Sequence, residues 1–214
     1  MSRIYPTESG WPTKRPSSTD GPTLLTVWKK SSMAFQGTDG FSVFDGKGRL
    51  VYRVDNYSRK NRYMSGGLVL MDGTGRALLT LRPQILSMTH RWNGFRGDNC
   101  LKTRPVMPVF SMRRRSILQN SDEAEVFLSG PKNHVPIPDF TMDGCFRKRH
   151  CKIRSATGEL AAEISRKKVN TTVLLSDDVF SLVVQPGYDC ELIMAFVIVM
   201  DRICGKPYAP AFCS

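Results

Sequence analysis

Three basic triplets punctuate the second half of the chain: Arg113-Arg114-Arg115, Arg147-Lys148-Arg149 and Arg166-Lys167-Lys168. Clustered cations suit one chemistry above others, the gripping of phosphate. A phosphorylated headgroup needs two or more converging cations, and the planar arginine fork can hold phosphate through two parallel hydrogen bonds. Each triplet reads as lying on a strand or at its end, where alternation lets at most two of three side chains face one surface. The competing reading is an ordinary solvated exterior. The net charge of +12, from 31 basic and 19 acidic side chains, keeps the binding reading in play. Such an excess bears on partners rather than on fold: anionic lipid headgroups, nucleic acid or an acidic protein surface.

Other chemistries are poorly served. Single-stranded nucleic acid calls for aromatic rings interleaved with the cations. Trp28, Trp92 and Phe95 are available, but the last two fall in HRWNGFRG, which reads as a strand and turn with core-facing rings. No helix-turn-helix, basic zipper or RNA-recognition signature accompanies them. Catalysis fares worse: the three histidines, His90, His134 and His150, lie in no G-x-S-x-G elbow, H-E-x-x-H helix or phosphate loop. His90 beside Arg91 and Trp92 suits a structural histidine better than a general base. The expectation is a protein that is not an enzyme and carries no cofactor. Six cysteines without a C-x-x-C pair support no zinc knuckle or redox pair, and Cys145, His150 and Cys151 read as two small buried residues and an exposed ring on one strand. The amino terminus has no apolar core of signal-peptide type. Free thiols in a reducing compartment follow, and the sequons at Asn56 and Asn170 become coincidence.

The elements that must position the triplets are short strands. V43-FDGKGRLVYR-V54, L70-MDGTGRALLT-L81 and I153-RSATGELAAE-I164 share one frame: an apolar start, a polar turn with glycine in sixth place, then a second apolar run. Asp45-Gly46 and Asp72-Gly73 are hairpin signals, because such turns need residues that tolerate positive φ. Further strands are expected at Leu24 to Lys29, Val109 to Leu118, Ala124 to Leu128, Asp139 to Met142, Val173 to Leu175 and Val179 to Val184. Near the carboxyl end, Leu192 to Met200 are nine consecutive apolar residues between Glu191 and Asp201. A bilayer span needs about 20, and a charge near the bilayer centre costs at least about 2.5 kcal/mol. With Asp189 as N-cap, the run reads as a helix apolar on every face, which must be surrounded by protein. Ten to twelve short strands make a mainly β barrel too wide for its own side chains to fill. The helix fills it.

FSVFDGKGRLVYRVDNY (Phe41 to Tyr57), VLMDGTGRALLTLRPQILSMTHRWNGFRG (Val69 to Gly97), DFTMDGCFRKRHCKIRSATGELAAEISRKK (Asp139 to Lys168) and DVFSLVVQPGYDCELIMAFVIVMDRI (Asp178 to Ile203) resemble the plant LURP-one-related proteins. TLLTVWKKS (Thr23 to Ser31) is similar to the opening of one branch of that family. The resemblance implies a fold like the tubby carboxyl-terminal domain and the phospholipid scramblases, a closed barrel of about twelve strands around a central hydrophobic carboxyl-terminal helix. It implies no established enzymatic activity. The family's founding member is associated with defence against an oomycete, and tubby proteins bind phosphoinositides through basic surface residues. K102-TRPVMPV-F110 and PKNHVPIP (Pro131 to Pro138) depart from the family's pattern, so loops on one rim are expected to differ.

The layout that follows is a disordered tail over residues 1–22, the barrel domain over 23–204 with its helix near 189–203, and a short tail over 205–214. The expected function is a non-enzymatic binding or signalling module, linked to plant defence, that recognises an anionic phospholipid headgroup, a phosphoinositide above all, through the nine triplet residues. A scaffold for an acidic protein partner is the alternative. Scramblase-like lipid movement and nucleic-acid binding stand behind it. The expected setting is a cytoplasmic monomer with no transmembrane segment, at the membrane periphery or in the nucleus.

Overall fold

The computed structural model describes residues 21–30, 40–56, 67–84, 87, 90–97, 107–115, 122–129, 137–167 and 177–204. Twelve strands occupy Thr23–Lys30 (β1), Gly40–Phe44 (β2), Leu50–Asn56 (β3), Leu68–Asp72 (β4), Ala77–Pro83 (β5), Trp92–Arg96 (β6), Phe110–Arg114 (β7), Ala124–Leu128 (β8), Phe140–Cys145 (β9), His150–Ser155 (β10), Leu160–Arg166 (β11) and Val179–Val184 (β12). Each pairs antiparallel with its neighbours in the chain, and β1 pairs with β12 to close the barrel. The expected strand over 173–175 and the end of the one expected to reach Leu118 lie outside the described residues.

Alternation sorts the side chains. On β1, Leu25 and Val27 are buried while Leu24 and Trp28 face outward, and Phe180, Leu182 and Val184 of β12 repeat the inward row. The helix α1 (Cys190–Cys204) fills the lumen, and every residue from Leu192 to Met200 is buried. Each large apolar side chain so enclosed contributes about 1.5 to 3 kcal/mol. Asp189 caps the helix: its Oδ1 accepts from the backbone N–H of Glu191 at 2.9 Å and of Leu192 at 3.3 Å. Phe196, at mid-helix, meets Phe110 edge-on at 5.0 Å and Phe140 at 5.4 Å. Gly94 is required here, since a Cβ would stand 2.1 Å from the Phe110 ring. Trp92 is buried as expected, but Phe95 is half-buried beneath the Arg82 guanidinium, 5.4 Å from its ring centroid, and so is not core.

The up-and-down order sends successive connections to opposite ends. At the proximal rim, where α1 begins, lie the turns β2–β3, β4–β5 and β10–β11. The distal rim, where α1 ends, carries the turn β9–β10 and the ends of β1, β7 and β11.

The three repeated hairpins form one turn three times. Gly48 N donates to Asp45 O at 3.0 Å, Gly75 N to Asp72 O at 3.0 Å and Gly158 N to Ser155 O at 2.9 Å. A register shift follows each, in β2–β3, β4–β5 and β10–β11. The left-handed residue is the sixth-place glycine, with φ of 76° at Gly48, 93° at Gly75 and 83° at Gly158. This corrects the Asp-Gly expectation: Gly46 and Gly73 do not have positive φ. Each aspartate instead folds its carboxylate over the turn. Asp45 Oδ1 accepts from Lys47 N and Arg49 N, and Asp72 Oδ1 from Thr74 N and Arg76 N.

Candidate binding rim

All three basic triplets end at the distal rim, two at the ends of β7 and β11 and one in the β9–β10 turn. Strand alternation does not govern the middle triplet, because Phe146 to Arg149 form a turn. Lys168 lies outside the described residues.

On β7, Arg113 points out of the barrel wall. Its Nε and Nη2 both donate to Glu125 Oε2, at 3.0 and 2.9 Å, and its guanidinium stacks 4.7 Å from the Phe127 ring centroid. Arg115 is exposed, 3.6 Å from Glu123 and 4.0 Å from Glu125. Arg114 pairs in register with the buried Ala124, so it is directed toward the mouth. Arg166 takes the equivalent place on β11, in register with the buried Phe180, and its Nη2 donates to Asp177 Oδ1.

The middle triplet splits three ways. Arg147 is exposed, and its Nε donates at 3.2 Å to the carbonyl of Cys204, the last residue of α1, placing a cation at the negative end of the helix dipole. Lys148 is exposed at the tip and makes no ion pair among the described residues. Arg149 is only 6% exposed and stands apart from any surface site. Its φ is 54°, and its guanidinium lies 4.8 Å from the Phe146 ring and 4.3 Å from the Phe180 ring. Nε donates to Asp177 O at 2.9 Å and Nη2 stands 3.8 Å from Asp201 Oδ1. Burial lowers its pKa, and the carboxylate of Asp201 leads the opposing influences. Asp201 also receives Lys29 Nζ, at 3.1 Å on Oδ1 and 3.0 Å on Oδ2. The last turn of the helix is thus tied to β1 and to the β9–β10 turn. Sequence reasoning missed this role for Lys29, Arg149 and Asp201. The one available signal was an aspartate closing an apolar run that had to be buried.

Cys145 and His150 face each other across the β9–β10 hairpin rather than sharing a strand. Cys145 Sγ donates to Asp122 Oδ2 at 3.5 Å, while Cys151 is buried inside and His150 is exposed. Burial pushes the Cys151 thiol up to about 12 and raises those of Cys190 and Cys204, so these three remain protonated near neutral pH and are poor nucleophiles. Among the described residues, no helix is long and apolar enough to cross a membrane.

The comparisons with known proteins agree with this architecture. A crystal structure of an Arabidopsis thaliana protein superposes with a TM-score of 0.61 over 89% of this chain and 94% of that one, at 22% identity, a likeness of fold. Protein LURP-one-related 5 of Arabidopsis thaliana is 41% identical over 184 residues, covering 85% of this chain and 83% of that protein. Protein LURP-one-related 12 of the same plant is 37% identical over 183 residues, covering 85% and 78%. The model of the LURP-one-related family matches residues 23–201, nearly all of the barrel and its helix, and the chain belongs to that family.

Proposed function

We propose that the distal rim is a non-catalytic binding surface for anionic phospholipid headgroups, phosphoinositides above all, and that the protein acts through it as a signalling module, including in plant defence. The observation that carries this reading is the convergence of basic residues from three separate segments of the sequence, Arg113 to Arg115, Arg147 with Lys148, and Arg166 with Lys167, on one end of one barrel. Arg115, Arg147, Lys148, Arg166 and Lys167 are its working cations, while Arg149 holds the helix. Several are already paired with carboxylates, but exposed pairs contribute only about 0 to 1 kcal/mol each. A multiply charged phosphate offering bidentate, charge-assisted bonds competes well with them.

Co-sedimentation of the full chain with neutral, phosphatidylserine and phosphatidylinositol bisphosphate vesicles, at low and physiological salt, tests this. The parent is expected to prefer the phosphoinositide and to weaken as salt rises. Changing Arg115, Lys148 and Lys167 to Gln removes three charges worth about 1 kcal/mol each near an anionic surface, a loss of about a hundredfold. Equal indifference to all three vesicles would sink the lipid reading and direct the rim to an acidic protein partner.

A further inference from the structure

Among the described residues, five large apolar side chains are exposed: Leu24, Trp28, Leu50, Met107 and Ile137. Four belong to the proximal half of the barrel. Leu50 begins β3, Met107 and Ile137 precede β7 and β9, and Leu24 stands one residue from the proximal end of β1. Trp28 alone lies in the distal half. It is 48% exposed on the outer wall, two residues from the distal end of β1. Its register partner on β12 is Val179, half-buried, and the backbone is pinned by Lys29 N donating to Asp178 O at 2.7 Å. On the next strand Arg166 is the last residue in register, opposite Phe180, and the half-buried Lys167 follows it at the distal end of β11. An indole and a valine therefore share one outward row, next to the strand end that carries the cations of the basic rim.

We infer that Trp28 is an interfacial anchor, inserted at headgroup level when the distal rim docks on an anionic bilayer. This rests on the reading of the rim given above and extends it. Indole suits that depth because its body is apolar and its N–H is polar, and tryptophan gathers at membrane interfaces for this reason. A cationic rim alone gives binding that salt screens away, and stable attachment takes two signals. The occupant is a membrane rather than a second copy of the chain because the row is bounded by a rim of positive charge, which would repel an identical surface and attracts an anionic one.

Tryptophan fluorescence of the full chain, with phosphatidylcholine vesicles containing phosphatidylserine or phosphatidylinositol bisphosphate, tests the anchor. Vesicles with and without brominated acyl chains are compared, and Trp28→Phe assigns the signal. The parent is expected to shift to the blue and to be quenched by bromine, and Trp28→Phe to lose both changes. Trp28→Ser, with an unfolding midpoint like the parent's, is expected to bind about tenfold more weakly at low and at physiological salt alike. If the parent binds anionic vesicles in a salt-dependent way but quenching is unchanged in Trp28→Phe and Trp28→Ser binds like the parent, the anchor is overturned and the rim reading stands. If instead Met107→Asp with Ile137→Asp abolishes binding, the opposite rim faces the bilayer and both readings fall. Absence of binding at every salt overturns both as well.

Discussion

The two rims of the barrel are built by opposite means. At the proximal rim, three of the turns are closed by residues within five positions of one another: an aspartate or serine, a glycine in left-handed conformation and the backbone between them. At the distal rim, the ties cross the whole chain. Lys29 and Asp201 are 172 residues apart and Arg147 and Cys204 are 57 apart, yet both pairs are in hydrogen-bond contact. A rim set by local backbone chemistry can be varied one turn at a time. One set by long-range charge pairs ties several elements together, and a change in one strains the others.

Removing a member of the distal network is the strongest way to break this comparison. Asp201→Ala leaves the buried Arg149 guanidinium without its carboxylate and is expected to cost about 3 to 5 kcal/mol, read from chemical unfolding, while Arg149→Ala leaves Asp201 paired with Lys29 and is expected to cost less. The double variant should lose less than the sum of the two. Costs below about 1 kcal/mol would mean that packing of α1 alone holds the mouth. A smaller effect sharpens the other side. Gly48→Ala, Gly75→Ala and Gly158→Ala each force an alanine into positive φ with no Cβ clash, so each is expected to cost about 1 to 2 kcal/mol and all three about the same. A cost confined to one of them would end the equivalence of the turns. The smallest effect is one of pH. The Asp72 carboxyl is held down to about 2, first by the Thr74 hydroxyl and then by the backbone N–H of Arg76. Its contribution is therefore complete above its ordinary value of 3.8 and is lost as pH falls toward about 2. Asp72→Asn should remove that part of the acid limb of a stability-against-pH curve. A limb unchanged by the substitution would show that Asp72 is not its source.

Much of the fold was legible because it is local. Hairpin spacing, strand alternation and an apolar run too short for a bilayer lead to a barrel with a helix inside, and Asp189 announces the helix start. The site was legible in composition but not in geometry. The sequence marks Arg147, Lys148 and Arg149 as one cluster, whereas the turn points the first two at solvent and the third inward between Phe146 and Phe180. Nothing in residues 147–149 themselves announces that split, because Phe180 and Asp201 belong to other elements. The same holds for Trp28, which reads as one more strand aromatic until the register shows what stands beside it.

The seam between β1 and β12 has a consequence in time. Of the twelve strands described, β1 leaves a ribosome before the others while its second partner is made last, and at about 5 to 20 residues per second the wait for β12 is roughly ten to thirty seconds. Throughout it, one edge of β1 offers unpaired N–H and C=O groups, a template for any other extended chain. The finished barrel has no edge, but the nascent one does, and pairing with a neighbouring copy would begin at that seam.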